Sequence, residues 1–373
     1  MTDVNTNDGS LKWVGVNKVL PDSGAGDNAV DFEPYAYGID FSPVNKTVAL
    51  ANDSTGLGSV YRFKAYKNQQ SFLRNATFNT SCRISNDGTK IMAYINGTQR
   101  VYYYDTSVDN DWSSSGSVIL SSGQIRAFDL NEDGSLVAAR HQSDQAIIEL
   151  REFNGTGLAL RSSRDLATYA RIQQIKISAD GSRVFALVYE YVQQDYRIYR
   201  ADITGTSMGS FSYYNIVPFY STNDTTMAVS YTGDVVFYND YFANDLYWNV
   251  GAVSTPSSPV VISMESESCT AFYGSYNFAK SDGKYVPMVA YRGDDDYVRF
   301  VYPTLDDSTT GYDMSTLIQH AKINVADLET AFGDIVNYIV PFSMTEMIVC
   351  YRGESFNHKV VKMGYEPLTG GIR

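Results

Sequence analysis

ISNDGTKIMAY at residues 84–94 returns as LNEDGSLVAAR at 130–140 and as ISADGSRVFAL at 177–187, with starts 46 and 47 residues apart. Each copy enters on a short apolar run, turns on Asp-Gly, and leaves on β-branched, aromatic and small residues. Asp-Gly suits a tight turn because glycine takes φ > 0 without a Cβ clash, while aspartate accepts hydrogen bonds from its own backbone. Asp87, Gly88, Asp133, Gly134, Asp180 and Gly181 are therefore read as structural turn residues.

Weaker copies extend the series in both directions: FSPVNKTVALA at 41–51, YSTNDTTMAVS at 220–230, MESESCTAFYG at 264–274 and FSMTEMIVCYR at 342–352, seven in all. Further strand-like runs follow each copy. KIMAYI passes through Asn96-Gly97 to QRVYYYD, AIIELREF passes through Asn154-Gly155 to GLALRSS, and Thr232-Gly233 separates MAVSY from VVFYND. Four strands in roughly 45 residues, repeated, is the pattern of propeller blades. The expected fold is all-β: a seven-bladed β-propeller of four-stranded antiparallel blades. The strand–(S/N)xDG–strand phrase resembles the repeats of the WD40-like and lactonase-like β-propeller superfamilies. That resemblance implies a fold and names no reaction.

One domain is expected over 11–373, behind a flexible tail at 1–10. LKWVGVNKVL at 11–20 reads as a strand and is expected to complete the last blade, so that the two ends of the chain share one sheet. The non-repeating segment DMSTLIQHAKINVADLETAFGDIVNY predicts a helical insert over 311–336, with Asp313 and Asn324 as caps of two short helices. On helical spacing, Leu317 and His320 share one face, and Leu328 and Phe332 share another. These four are the candidate partner contacts.

Lys+Arg 29 against Asp+Glu 42 leaves a net charge of −13, which repels phosphate backbones and anionic lipid heads. Nucleic acid and membrane insertion are therefore not expected. MTDVNTNDGSLKW has neither the basic nor the apolar region of a secretion signal. Cys82, Cys269 and Cys350 are three, far apart and without a CxxC pair, so neither a disulfide framework nor a zinc site is expected.

Catalytic grammar is sparse. The charged residues flanking the inner strands are Asp40, Arg83, Arg126, Lys176 and Glu265, with no histidine beside a nucleophile. DTSVDND and RGDDDY lack the spacing of a calcium loop, and Arg292-Gly293-Asp294 reads as a hairpin and not an adhesion signal. No cofactor is expected. Thirty tyrosines among many Asn, Ser and Thr suit half-buried strand faces and also recognition surfaces.

The sequence thus points to a non-catalytic structural or interaction propeller that takes protein partners or copies of itself. The narrower expectation is a virion component, such as a bacteriophage tail or receptor-contact protein, with the cytoplasm as the alternative location. The alternatives in function are a lactonase-like or glycan-cleaving propeller enzyme, and a lectin for host-surface glycan with Trp112 and Trp248 as first candidates.

Overall fold

The computed structural model describes residues 30–368, apart from connecting segments of which the longest are 106–115, 218–226, 251–259, 262–268 and 305–312. Among the described residues the strands form seven antiparallel sheets. Their first strands are Ala36–Ser42, Thr80–Ile84, Gln124–Leu130, Ala170–Ile177, Met227–Val229, Cys269–Ala279 and Ile335–Pro341. Successive first strands pack beside one another, from the first sheet to the second and onward, and so form the inner wall. Later strands of each sheet are added outward in chain order. The fourth sheet departs from this pattern: its third strand, Asp195–Thr204, pairs with both Ser207–Met208 and Ser212–Val217.

The apolar strand runs follow from burial on both sides. In Arg183–Glu190 every residue from Val184 to Val188 is buried. Val184, Ala186 and Val188 join Ile148, Leu150 and Ile175 in the layer between the third and fourth sheets. Phe185 and Leu187, pointing the other way, meet Met227, Val236 and Tyr238 of the fifth sheet. Similar layers separate the fifth sheet from the sixth and the sixth from the seventh. A strand with a neighbour on each face has no polar positions to alternate, so its sequence reads as a continuous run. Each buried side chain of this size contributes about 1.5–3 kcal/mol.

The inner strands share an irregularity that the sequence does not announce. Their register shifts between Ala36 and Gly38, Ile125 and Ala127, Ile172 and Gln174, and Val336 and Tyr338. A bulge adds local twist and bend, and these recur at nearly the same distance before the first turn. Their place is the innermost strand, where a sheet must curve most tightly around the axis.

One sequence expectation needs correction here. The segment expected as the first helix of the insert is the strand Asp313–Asn324, paired to Tyr297–Thr304. From Ile318 to Ile323 its burial alternates, with Gln319, Ala321 and Ile323 buried between half-buried neighbours. That is a period of two. The helix-forming Gln, Ala and Lys hid it, and tertiary pairing overrides such weak propensities. Only Val325–Phe332 is helical, here called α1. The strand expected at 11–20 and the tail at 1–10 lie outside the described residues. The free edge of His358–Gly364 in the seventh sheet is occupied by Val30–Phe32, in the register Val30 to Val360 and Phe32 to His358.

Two repeat copies are also displaced. The first turn of the fifth sheet is Ser230–Asp234, and that of the sixth lies between Ala279 and Tyr285. The copies sought at 220–230 and 264–274 thus precede the true turns.

Candidate functional site

The Asp-Gly turns are built alike. Ser85 N donates to the Lys90 carbonyl at 2.9 Å and Gly88 N to the Ser85 carbonyl at 2.8 Å, while Lys90 N donates to Ser85 Oγ at 3.0 Å. Asp87 Oδ1 accepts from Ser85 Oγ at 2.5 Å and from Thr89 N at 3.0 Å. Ser178, Asp180, Gly181, Ser182 and Arg183 repeat the arrangement, with Ser182 N donating to Asp180 Oδ1 at 3.0 Å. The serine at the start carries both halves: its backbone closes the turn, and its hydroxyl accepts the next strand's first N–H. Ser230 does the same without the aspartate, its Oγ accepting from Val235 N at 3.0 Å. Gly134 N reaches the Asn131 carbonyl at 3.3 Å, whereas Asp133 lies outside the described residues.

These turns are joined sideways at one end of the molecule. Lys90 Nζ donates to the Glu132 carbonyl at 3.3 Å, Glu132 N to the Ala179 carbonyl at 2.8 Å, and Asp180 N to the Tyr231 carbonyl at 3.1 Å. Arg183 Nη1 reaches both the Thr232 carbonyl and Asp234 Oδ1 at 2.6 Å. The Tyr231 hydroxyl donates to Glu132, and its ring stacks on Tyr285 of the sixth sheet, 3.6 Å between centroids and 2° from parallel. Burial, then the Glu132 carboxylate, raises the Tyr231 pKa, so this phenol remains a donor at neutral pH. Five consecutive sheets, the second to the sixth, share one bonded rim.

Inside that rim the inner strands end around a cavity of about 100 Å³, lined by Asn86, Asp129, Lys176, Ser275, Asn277 and apolar neighbours. Asp129 is 7% exposed, and its Oδ2 accepts from Ile177 N at 2.9 Å. Its other oxygen lies 3.5 Å from Arg83 Nε and 3.6 Å from Lys176 Nζ. One carboxylate therefore connects the second, third and fourth sheets, its desolvation offset by two cations and an amide.

Of the inner-strand charges read from sequence, Arg83 and Lys176 come together here. Arg126 lies at the bulge of its strand. Asp129 stands two places before the turn residue Asn131, as Arg83 does before Ser85 and Lys176 before Ser178. Counting back from the turn would have found it. Asp40 holds the same place in Ala36–Ser42, and Glu265 lies outside the described residues.

The other candidates are scattered. Leu317 and His320 are on a strand of the sixth sheet, and Leu328 and Phe332 are on α1. His320 is half-buried, its Nε2 2.8 Å from the Met344 carbonyl, and Leu328 is buried. Two of the three RGDDDY carboxylates serve arginines: Asp295 takes Arg299 in two bonds of 2.9 and 2.7 Å, and Asp296 takes Arg292 at 2.7 Å. With Arg292 so engaged, Arg292-Gly293-Asp294 is part of a strand pair and its turn. Trp248 sits on the third strand of the fifth sheet, and Trp112 lies outside the described residues.

No protein-family model matches the chain, and no curated protein matches it. Solved structures do. The β-propeller domain of Cps50 (Swd1) from Myceliophteria thermophila aligns over 89% of this chain and 97% of its own, at 11% identity and a TM-score of 0.54. A chain of the mitotic checkpoint complex aligns over 94% of both, at 12% identity and 0.52. The Dos1 propeller covers 92% of this chain and 96% of its own, at 10% identity and 0.50. Identities this low speak for the fold alone. The chain has a β-propeller fold.

Proposed function

We propose that this protein is a non-catalytic interaction propeller whose bonded rim of turns serves as a rigid docking face. A propeller fold supports an interaction or scaffold role, and one of the similar chains belongs to a checkpoint complex. The observation carrying the reading is the lateral turn-to-turn bonding from Lys90 to Tyr285. It fixes loops of five sheets in one frame, so a partner meets a preorganised surface and little ordering entropy is lost on association. Asp129, the buried acid of the cavity, is matched by Arg83, Lys176 and the Ile177 amide, as suits a structural ion cluster.

The narrower assignment, a component of a virus particle assembling with copies of itself or other particle proteins, rests on composition: a net charge of −13 and thirty tyrosines. Absolute mass by light scattering across a concentration range tests the assembly reading. A fixed multiple of the 41.5 kDa chain supports a structural component. A monomer at every concentration removes self-assembly and leaves docking to a different partner, to be sought with the rim variant Tyr231→Ala as control. Turnover of a lactone or glycan substrate would overturn the non-catalytic reading.

A further inference from the structure

Tyr231 and Tyr285 meet differently from the other described tyrosine pairs. Tyr189–Tyr191, Tyr199–Tyr213 and Tyr273–Tyr338 meet edge-on and Tyr189–Tyr196 is tilted, with centroids from 4.9 to 6.3 Å apart. Tyr231 and Tyr285 lie face to face, 3.6 Å between centroids and 2° from parallel. Aromatic pairs left to themselves prefer offset or edge-on geometry. The turn carrying Tyr231, its hydrogen bond to Glu132 and the strand that begins at Tyr285 impose this one. Burial and then the Glu132 carboxylate raise the Tyr285 pKa, while the neighbouring Tyr231 hydroxyl lowers it. The two phenol oxygens are therefore at the same end of the stack, and the ring carbons ortho to them face one another. Their separation is close to the roughly 3–3.5 Å from which bonds form. Both rings are half-buried, so part of each meets solvent.

We propose that Tyr231 and Tyr285 are an oxidative cross-linking site, at which one-electron oxidation joins the rings as a dityrosine and ties the fifth sheet to the sixth. The oxidant is hydrogen peroxide acting through a haem peroxidase. Each phenol gives one electron to the peroxidase. Tyr231 passes its hydroxyl proton to Glu132, already its acceptor, and Tyr285 passes its own to water. The two phenoxyl radicals pair their electrons in a carbon–carbon bond between ortho positions. The hydrogen on each bonded carbon then leaves as a proton, and each oxygen takes one up to restore the phenol. Two electrons and two protons leave in all, and they reduce one peroxide to two waters. The site is independent of the docking reading, because the rings meet whether or not a partner sits on the rim.

The full chain, dilute enough to suppress coupling between molecules, is treated with hydrogen peroxide and a haem peroxidase, with free tyrosine oxidised in parallel. The monomer should lose the mass of two hydrogen atoms and gain dityrosine fluorescence. Proteolysis should then yield one linked peptide pair, containing Tyr231 and Tyr285. Tyr231→Phe and Tyr285→Phe, which keep a ring in the stack, should each abolish that product. Tyr191→Phe, at an exposed ring that meets its neighbour edge-on, should leave it intact. An equal yield of dityrosine monomer from Tyr285→Phe, or a linked pair other than Tyr231 and Tyr285, overturns the proposal. A monomer unchanged in mass while free tyrosine is consumed overturns it as well. If Tyr231→Phe loses its native circular dichroism along with the bond to Glu132, Tyr285→Phe decides.

Discussion

At Gly181 two constraints coincide. Its φ of +73° is a conformation L side chains rarely adopt, and an added Cβ would stand 2.5 Å from Nδ2 of the buried Asn131 in the preceding sheet. Gly205, at φ +59°, has nothing within 4 Å of the same position. Gly205→Ala should therefore cost only the backbone term, about 1 kcal/mol, and Gly181→Ala about 2–3 kcal/mol, read from denaturant midpoints. Equal losses would mean that contact between neighbouring turns adds nothing. His320 gives a second residue-level test. Burial lowers its pKa below the ordinary 6.5, opposed by the hydrogen bond to the Met344 carbonyl. The unfolded chain thus binds the proton more readily than the folded one. The stability involved is intact above about pH 6.5 and is lost as pH falls through the depressed folded value. Titratable neighbours Tyr302 and Tyr365 have pKa values raised by burial and stay neutral in that window. Urea unfolding from about pH 7.5 to about 5 should show this loss, and His320→Gln, which keeps a donor, should flatten that part of the slope. An unchanged slope would remove His320 from the account.

Element by element, what the sequence makes legible is local, and what it hides depends on neighbours. Serine and Asp-Gly turns bond within six residues, so Ser85–Lys90 and Ser178–Arg183 can be read directly. Ser230 builds the same turn with Thr232-Gly233-Asp234, where the aspartate has moved past the glycine, so the copy at 220–230 falls nine residues early. The strand Asp313–Asn324 fails for a different reason: its inward positions include Gln319, whose place is set by pairing with Val301 on the adjacent strand. Asn324 is legible again. It ends that strand and caps α1, its Oδ1 accepting from Ala326 N at 3.0 Å, while Val325 and Leu328 enter the layer between the sixth and seventh sheets. Asn324→Ala should cost about 1 kcal/mol in equilibrium unfolding and Asn324→Ser much less, since serine also caps. If both cost the same, the cap is not what holds this junction. The inner-wall cluster is legible by counting: Arg83, Asp129 and Lys176 each stand two places before their turn, and the bulge at Arg126 lies three residues further back and leaves that count intact.

For the whole molecule, the decisive contact is between the two ends of the described chain. Val30–Phe32 contributes only three residues, yet it pairs with His358–Gly364 and joins the last sheet to the chain that immediately enters the first. Without it, the unfilled edge of a seven-residue strand would face solvent, a template for pairing with other chains. Detaching the start of the described chain from the seventh sheet requires breaking the Val30–Val360 register. A chain beginning at residue 33 should therefore unfold at a lower temperature and aggregate at concentrations the full chain tolerates, followed by calorimetry and static light scattering. A chain beginning at residue 21 keeps Val30–Phe32 and should match the full chain in both. The comparison separates two closures: if removal of 1–20 alone reproduces the loss, the strand read at 11–20 is what closes the last sheet; if only removal through Phe32 does, closure belongs to the short strand on His358–Gly364.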